Sequence, residues 1–226
     1  EQGHSVCGVD VDPQRVATVN AGASPILEPG LEDLIAQQRR AMRLHASTDP
    51  VAGVHSAEVI LVCVGTPTNA AGQVDLGAIR EAARHIGTAL RESPGYRTIV
   101  IRSTILPGTT EEVVLPIIEK HSLRKAGRDF GLAVNPEFLR EGTAIQDFHH
   151  PPYIVVGAGE RHAADIVASL YDEVDAPVRR TSIRVAEMLK YACNAFHALK
   201  ICFANEIAAV AREIDVDGAE VMELLC

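Results

Sequence analysis

Apolar and polar residues follow two patterns along the chain, and each pattern predicts a different element. Five short runs rich in β-branched residues are bounded by turn residues, which is typical of buried strands. The runs cover residues 5–11, 59–64, 98–103, 132–135 and 153–157. Helical patterns lie between them, and the clearest spans residues 75–91 with an apolar residue every three or four positions. This alternation predicts an α/β fold with a mainly parallel sheet that helices cover on both faces.

The pattern changes after Pro177. Residues 183–214 then indicate one long helix, and residues 217–225 indicate a short one. We therefore predict two domains: residues 1–181 form the sheet domain, and residues 182–226 begin a helical domain. Sheets of the predicted kind bind ligands beyond the carboxyl ends of their strands. Residues with functional chemistry are expected there.

Composition and charge narrow the possible function classes. Hydrophobic residues make up 47% of the 226 residues. The longest apolar run, residues 59–64, is still far shorter than the roughly 18 residues of a membrane span. The 21 basic and 30 acidic residues give a net charge of −9, without the basic cluster that a nucleic-acid partner requires. Five cysteines without CxxC spacing argue against disulfides and a metal site, and predict buried thiols in a reducing cytoplasm.

An acidic residue, Asp10, ends the first predicted strand. It precedes a helix that Asp12 and Pro13 are placed to begin and Gly22 to end. A carboxylate at this position can accept hydrogen bonds from an adenosine ribose, which selects NAD over NADP. The glycine-rich loop that accompanies such an acid lies about 20 residues upstream. Because the chain also lacks an initiator Met, we expect the first strand, its phosphate loop and the first helix to precede Glu1.

Two further strand ends carry hydroxyl groups where a cofactor would cross the sheet. Thr66 follows the second predicted strand, and Ser103 and Thr104 follow the third. A few residues later, Thr109 or Thr110 is better explained as an ordinary helix cap.

The fourth predicted strand runs into a turn-rich segment, residues 135–142. Glu137 and Glu141 stand four residues apart in it, with Phe138 and Leu139 between them. A loop that only faces solvent would not need apolar residues between its charges. This segment is therefore a second candidate for ligand contact.

The long helix carries a polar stripe on an otherwise apolar surface. With Lys190 as zero and about 100° per residue, Asn194 falls at about 40°, His197 at about −20° and Asn205 at about 60°. Buried polar groups need partners, which a polar ligand would supply. We expect Lys190 to stabilise an oxyanion and His197 to hold a sugar or phosphate oxygen. Asn194 and Glu141 are candidates for orienting water or transferring protons.

Six segments together resemble the UDP-glucose/GDP-mannose dehydrogenase family. They are residues 8–10, 24–31, 62–67, 102–109, 135–141 and 187–194. They follow the family's order and span essentially the whole chain. His197, residues 205–207 and the form of residues 102–109 look more like the GDP-mannose branch than the UDP-glucose branch. The resemblance implies a Rossmann-like, doubly wound NAD-binding domain, followed by a long helix that starts a central dimerisation domain.

The same resemblance implies a role for each matching residue. The residues implied to bind NAD are Asp10, Arg15, Thr66 and Thr104. The residues implied to contact the nucleotide sugar are Glu141, Lys190, Asn194, His197 and Asn205. Three of these, Glu141, Lys190 and Asn194, are implied to act in catalysis together with Thr104.

The implied reaction oxidises the C6 alcohol of a nucleotide sugar to a carboxylate, most closely GDP-mannose to GDP-mannuronate. It takes two NAD-dependent steps through a thiohemiacetal and a thioester on a cysteine. That cysteine is expected beyond the end of this sequence, because Cys226 lies in an apolar helical pattern without the family's glycines. The chain alone is therefore expected to show no turnover. The branch is also associated with uronate polysaccharides such as alginate.

Two alternatives stay open at this point. The first keeps the reaction but takes UDP-glucose as the substrate. The second is a nucleotide-sugar binding or dimerisation module without activity, since the helix over 183–214 has more apolar surface than one sheet domain can cover. That helix and the resemblance both predict a homodimer.

Overall fold

The computed structural model describes residues 2–225. Its N-terminal part is a parallel two-stranded sheet, in which β1 (Val6–Val9) pairs with β2 (Leu44–Ser47). Helices α1 (Pro13–Asn20) and α2 (Leu31–Arg40) connect these strands, and α3 (Pro50–Ser56) follows them.

Helix α1 begins and ends where the sequence predicts. The Asp12 carboxylate accepts a hydrogen bond from the backbone N–H of Gln14 over 2.8 Å, and Pro13 is the first helical residue. Gly22 follows the helix with φ +86°, a left-handed conformation that glycine adopts without steric cost. Local signals therefore predicted both ends of this helix.

A five-stranded sheet follows, with its strands side by side in chain order. They are β3 (Val59–Val62), β4 (Thr98–Ile101), β5 (Gly131–Val134), β6 (Ile154–Ala158) and β7 (Val178–Thr181). The first three run parallel to one another, β6 pairs with β5 in the antiparallel direction, and β7 is parallel to β6. The prediction of an α/β fold with a mainly parallel sheet is confirmed.

Helices cover the centre of this sheet. They are α4 (Gly77–Glu92), α5 (Leu115–Ser122), α6 (Ala144–His149) and α7 (Arg161–Ser169), and a π-helical turn (Thr110–Val114) leads into α5. Every residue of β4 and β5 is buried. Since successive side chains of a strand point to opposite faces, both faces of the sheet are covered here.

The apolar spacing of α4 predicted its packing correctly. Ile79, Ala83, Ile86 and Leu90 are all buried, whereas Leu76 precedes the first helical residue. The helix thus turns one apolar stripe toward the core, as its three- and four-residue steps require.

The sequence pattern does not predict β2 and β7. Both have four residues with polar side chains among them, Leu44-His45-Ala46-Ser47 and Val178-Arg179-Arg180-Thr181. Each lies at the edge of its sheet and pairs with only one neighbour. The backbone hydrogen bonds of that neighbour, rather than an apolar run, make these segments strands.

The structure divides the chain after Glu187 into two compact units, and the domain boundary at residue 181 stays a prediction. Helix α8 (Ile183–Glu213) supplies the last residues of the first unit and continues into the second, which ends with α9 (Gly218–Leu225). A Cβ on Gly218 would lie 2.9 Å from the Ala208 Cα, so glycine allows α9 to approach α8 closely. Within residues 2–225, no helix is long and apolar enough to cross a membrane.

Candidate functional site

Thr66 and Thr104 meet at the carboxyl ends of β3 and β4. The Thr66 hydroxyl donates a hydrogen bond to the Thr104 carbonyl oxygen over 2.6 Å. Ser103 joins the same two loops, because its hydroxyl donates to the Val64 carbonyl oxygen over 2.7 Å. The loops that follow two neighbouring parallel strands are therefore held together at the edge where such sheets bind ligands.

Asp10 and Arg15 form a second group, at the end of β1. One Asp10 carboxylate oxygen accepts a hydrogen bond from the Asp12 backbone N–H over 2.9 Å. The other lies 3.7 Å from the Arg15 guanidinium, and 38% of the Asp10 side chain is exposed. This carboxylate therefore keeps an oxygen that can accept hydrogen bonds from sugar hydroxyls. Its position after a strand and before a helix is the one predicted for a ribose ligand.

The loop after β4 is capped from α8 and not by its own threonines. Glu187 is buried, and its carboxylate accepts hydrogen bonds from the backbone N–H groups of Gly108 (2.6 Å) and Thr110 (2.9 Å). The Thr109 side chain caps no helix, and the Thr110 hydroxyl has no hydrogen-bond partner within the described part of the chain. The prediction that Thr109 or Thr110 caps a helix is wrong, because Thr109 already has helical backbone angles (φ −59°, ψ −41°), whereas a capping residue is extended.

A polar cluster holds the start of the 135–142 segment. The Arg102 guanidinium donates to the Asn135 side-chain oxygen and, over 2.7 Å, to the Tyr171 hydroxyl. Asn135 is 1% exposed and donates in turn to the Val155 carbonyl oxygen over 2.8 Å. Tyr171 was missed by sequence reasoning, since it follows α7 as a single aromatic residue without any local signal.

A cavity of about 310 Å³ opens beside this cluster. It is lined by Arg102, Tyr171 and parts of the 135–140 and 147–154 segments. Its volume lies at the lower end of the roughly 300–1,000 Å³ of small-molecule pockets. Aromatic and charged side chains at the carboxyl ends of β4 and β5 make this cavity a candidate ligand site.

Glu141 is exposed in a loop that the distant residue Glu28 holds. The two oxygens of the Glu28 carboxylate accept hydrogen bonds from the backbone N–H groups of Gly142 and Ala144, each over 2.8 Å. Thr143, which precedes α6, makes no side-chain cap. Sequence reasoning included Glu28 only as part of a family segment. The residues near this helix start gave no signal for Glu28, because Thr143 is itself of a residue type that caps helices.

The other end of this loop is held by Asp147. Its carboxylate accepts hydrogen bonds from the Arg140 backbone N–H over 2.9 Å and from the Arg140 guanidinium over 2.7 Å. The Thr143 hydroxyl donates to the same carboxylate over 3.1 Å. The Arg140 guanidinium, with its backbone N–H, holds the pKa of Asp147 well below its usual range. The carboxylate is therefore charged at neutral pH and keeps these bonds.

The predicted polar stripe lies on one continuous helix, because α8 contains all four residues. Lys190 is buried, whereas Asn194, His197 and Asn205 are exposed. Their positions on one side of the helix follow from helical geometry. Their contacts with a ligand stay a prediction.

The cysteines correct one expectation. Cys63 and Cys202 are exposed, and Cys7 and Cys193 are partly buried, so the prediction of buried thiols is wrong. Cys63 follows β3 instead of lying inside it. Although Cys63 is exposed as a whole residue, atoms packed near its sulfur raise the pKa of the thiol, and the Arg102 charge opposes this effect. Cys226 lies outside the described residues. Within those residues, no three His, Cys, Asp or Glu side chains come together as metal ligands.

These features define an α/β dinucleotide-binding domain: parallel strands, an accessible carboxylate after one strand and hydroxyl groups at the ends of two others. Residues 1–175 match the NAD binding domain of the UDP-glucose/GDP-mannose dehydrogenase family, and residues 184–226 match its central domain. The chain belongs to this family.

Relatives with assigned functions are similar over the whole chain. This chain is 48% identical to a GDP-mannose 6-dehydrogenase of Pseudomonas aeruginosa and 40% identical to a UDP-glucose 6-dehydrogenase of Haloferax volcanii. It covers 52% and 53% of those two proteins, so the chain spans about half the length of the curated relatives it matches. A solved ternary complex of GDP-mannose dehydrogenase from P. aeruginosa has a TM-score of 0.98, with all of this chain and 52% of that chain covered.

Proposed function

We propose that the protein is an NAD-dependent dehydrogenase that oxidises the C6 alcohol of GDP-mannose to the carboxylate of GDP-mannuronate. The observation that carries the proposal is the contact between Thr66 and Thr104 at the ligand-binding edge of the sheet. The similarity to GDP-mannose 6-dehydrogenases over the whole chain supports the choice of sugar nucleotide. The product would serve uronate polysaccharides such as alginate.

The residues present fit NAD. Asp10 offers an accessible carboxylate to the ribose hydroxyls, and Arg15 beside it offers a guanidinium. Thr66 and Thr104 would bind the cofactor from the ends of β3 and β4. When bound, NAD supplies the acceptor for the hydride that leaves C6.

On the substrate side, each proposed residue acts on oxygen atoms. The Lys190 ammonium would stabilise the negative charge that develops on the C6 oxygen as its proton leaves. The Glu141 carboxylate would accept that proton or orient water, and Asn194 would orient water. His197 and Asn205 would hold sugar or phosphate oxygens.

The proposed conversion of the C6 alcohol to a carboxylate consists of two successive two-electron oxidations. The first turns the alcohol into an aldehyde. In the second, a thiol adds to the aldehyde, a hydride leaves the resulting thiohemiacetal, and water cleaves the thioester to the carboxylate. None of the four cysteines in the described residues is assigned this role.

The test uses the product of the complete reading frame with NAD and either GDP-mannose or UDP-glucose. We expect two NADH per GDP-mannose and the uronate product in mass spectra. Lys190→Met should abolish turnover, whereas Lys200→Met on the same helix should not. Faster turnover of UDP-glucose would favour the alternative that the Haloferax relative represents, and no NADH from either sugar would refute the proposal.

We also propose that the protein forms a homodimer through α8. Large apolar side chains of this helix are exposed: Val185, Met188, Phe196, Leu199, Ile201, Phe203 and Val210. An apolar surface of this extent on one helix is typical of an interface. Light scattering of wild type should give twice the monomer mass. The mass measured for Phe203→Glu should be lower. A wild-type monomer at high concentration would contradict the dimer.

A further inference from the structure

Glu28 connects two segments that are far apart in the chain. It lies in the loop between α1 and α2, and its carboxylate accepts hydrogen bonds from Gly142 and Ala144, more than 100 residues later. Both carboxylate oxygens are used, each at 2.8 Å. Hydrogen bonds from backbone N–H groups to an ionised carboxylate are about twice as strong as those between neutral groups.

The two N–H groups that donate hydrogen bonds to Glu28 lie within three residues after Glu141. Gly142 follows it directly, with φ +85°. Ala144 is the first residue of α6, and its N–H is one of the donors that a helix start leaves without an intrahelical partner. Because Thr143 supplies no cap, Glu28 replaces the local cap and determines how the chain enters α6.

The Glu28 segment is itself held in place. The Ser24 hydroxyl donates to the Ile26 carbonyl oxygen over 2.7 Å, which closes a turn just before Glu28. A Cβ on Gly30 would lie 3.5 Å from the Ile145 Cδ1, so this segment also lies close to α6. The Glu28 carboxylate is thus presented from a turn that lies against the helix it caps.

We infer that Glu28 is a positioning residue for Glu141, an inference that rests on the proposed function of Glu141. The Arg140–Asp147 pair holds the chain before Glu141, and Glu28 holds the chain after it. With the peptides on both sides held, the backbone of Glu141 and the direction of its Cα–Cβ bond are held as well. A proton acceptor that is displaced by even 1 Å loses much of its effect on the rate, by about 100-fold in unfavourable cases.

The experiment measures steady-state kinetics of the complete protein with GDP-mannose and NAD. Glu28→Gln keeps the size of the side chain but places an amide donor against a backbone donor. We expect kcat to fall about 10- to 100-fold while the KM for NAD stays unchanged. Glu32→Gln is the matched control, because Glu32 lies nearby in α2 and its carboxylate meets the Ser24 N–H at 3.4 Å instead of the 140–147 loop. It should behave as wild type.

A double-mutant cycle separates positioning from general stability. If Glu28 acts through Glu141, Glu28→Gln combined with Glu141→Gln should be no slower than Glu141→Gln alone. The inference would be overturned if the fold-changes in kcat of the two substitutions multiplied in the double variant. It would also be overturned if Glu28→Gln kept the wild-type kcat. Should circular dichroism show Glu28→Gln to be unfolded, Glu28→Asp against Glu32→Asp replaces it, with the same expectations.

Amide hydrogen exchange keeps this inference apart from the proposed function. If wild type oxidises neither sugar, the proposed function fails. Amide exchange at Gly142 and Ala144 still tests whether Glu28 holds these two N–H groups. Exchange there should be faster in Glu28→Gln than in Glu32→Gln. Equal rates in the two variants would overturn the role of Glu28.

Discussion

Strands β1 and β4 belong to different sheets of the first unit and are both apolar runs, but they are buried to very different extents. Val9 of β1 is 44% exposed, whereas Val100 of β4 is fully buried. Among the described residues, β1, α1 and α2 contain none that is buried, while all of β4 and β5 is buried. The difference teaches that an apolar run predicts a strand, but the elements around the strand decide how much water it excludes.

The candidate site is divided in the same way. Asp10 and Arg15 belong to the exposed two-stranded part, where water competes for their charges. Thr66, Thr104 and Asn135 belong to the five-stranded part, where the Thr66–Thr104 hydrogen bond is partly buried and Asn135 is buried. Glu28 connects the two parts, because it lies in the first and holds a loop of the second.

The largest expected effect compares one substitution in both sheets. Val100→Ala should lower the free energy of unfolding by about 2–3 kcal/mol, because it removes buried methyl groups and leaves a cavity. In the 226-residue chain, Val9→Ala should cost less than about 0.5 kcal/mol at its exposed position. Chemical denaturation of the two variants measures both values. Equal losses would show that the two sheets are buried alike in solution.

A smaller effect is expected in the polar cluster of the five-stranded part. Tyr171→Phe removes a hydroxyl bonded to both Arg102 and Asn135. Since one partner is charged, we expect a loss of about 1.5–2 kcal/mol in unfolding free energy. Tyr191→Phe, in α8 and outside this cluster, is the control. A Tyr171→Phe protein as stable as the control would show that the cluster is not sealed from water.

The exposed part should affect binding more than stability. On the proposed function, Asp10→Asn removes the charge that accepts the ribose hydroxyls. It should weaken NADH binding about tenfold, or about 1.4 kcal/mol, without unfolding the protein. Fluorescence titration with NADH measures this change. Asp12→Asn still offers a capping oxygen to Gln14 and should bind NADH as wild type does. Equal losses of NADH affinity in the two variants would exclude a specific role for Asp10.

The smallest effect depends on pH. The folded-state pKa of Asp147 lies below its ordinary value, so its charge contributes stability above about pH 4, and this contribution is lost as the pH falls through the folded-state pKa. The melting temperature of wild type should therefore be higher than that of Asp147→Asn at neutral pH. This difference should shrink in acid. A difference that stays constant with pH would mean that charge plays no part in the Arg140–Asp147 pair.

Much of the fold could be predicted from local patterns. Five strands, the amphipathic stripe of α4 and the cap of α1 follow from residues close together in the chain, because side-chain alternation and helical spacing are local properties. The edge strands β2 and β7 could not be predicted, since their backbone bonds come from β1 and β6. The antiparallel pairing of β6 with β5 has no local signal either.

The candidate site divides along the same line. Asp10, Thr66, Thr104 and Glu141 could be chosen because they follow predicted strands, where an α/β sheet binds ligands. Glu28, Glu187 and Tyr171 could not, because each acts on a partner far away in the chain.

The amino-acid order by itself determined five of the seven described strands, the long helices, and the side chains that follow those five strands. Only the tertiary structure decided that a carboxylate from one loop caps a distant helix, and that one sheet is buried while the other is exposed. The physical reason is range: periodicity and capping act over a few residues, whereas burial and backbone hydrogen bonding depend on which distant segments meet.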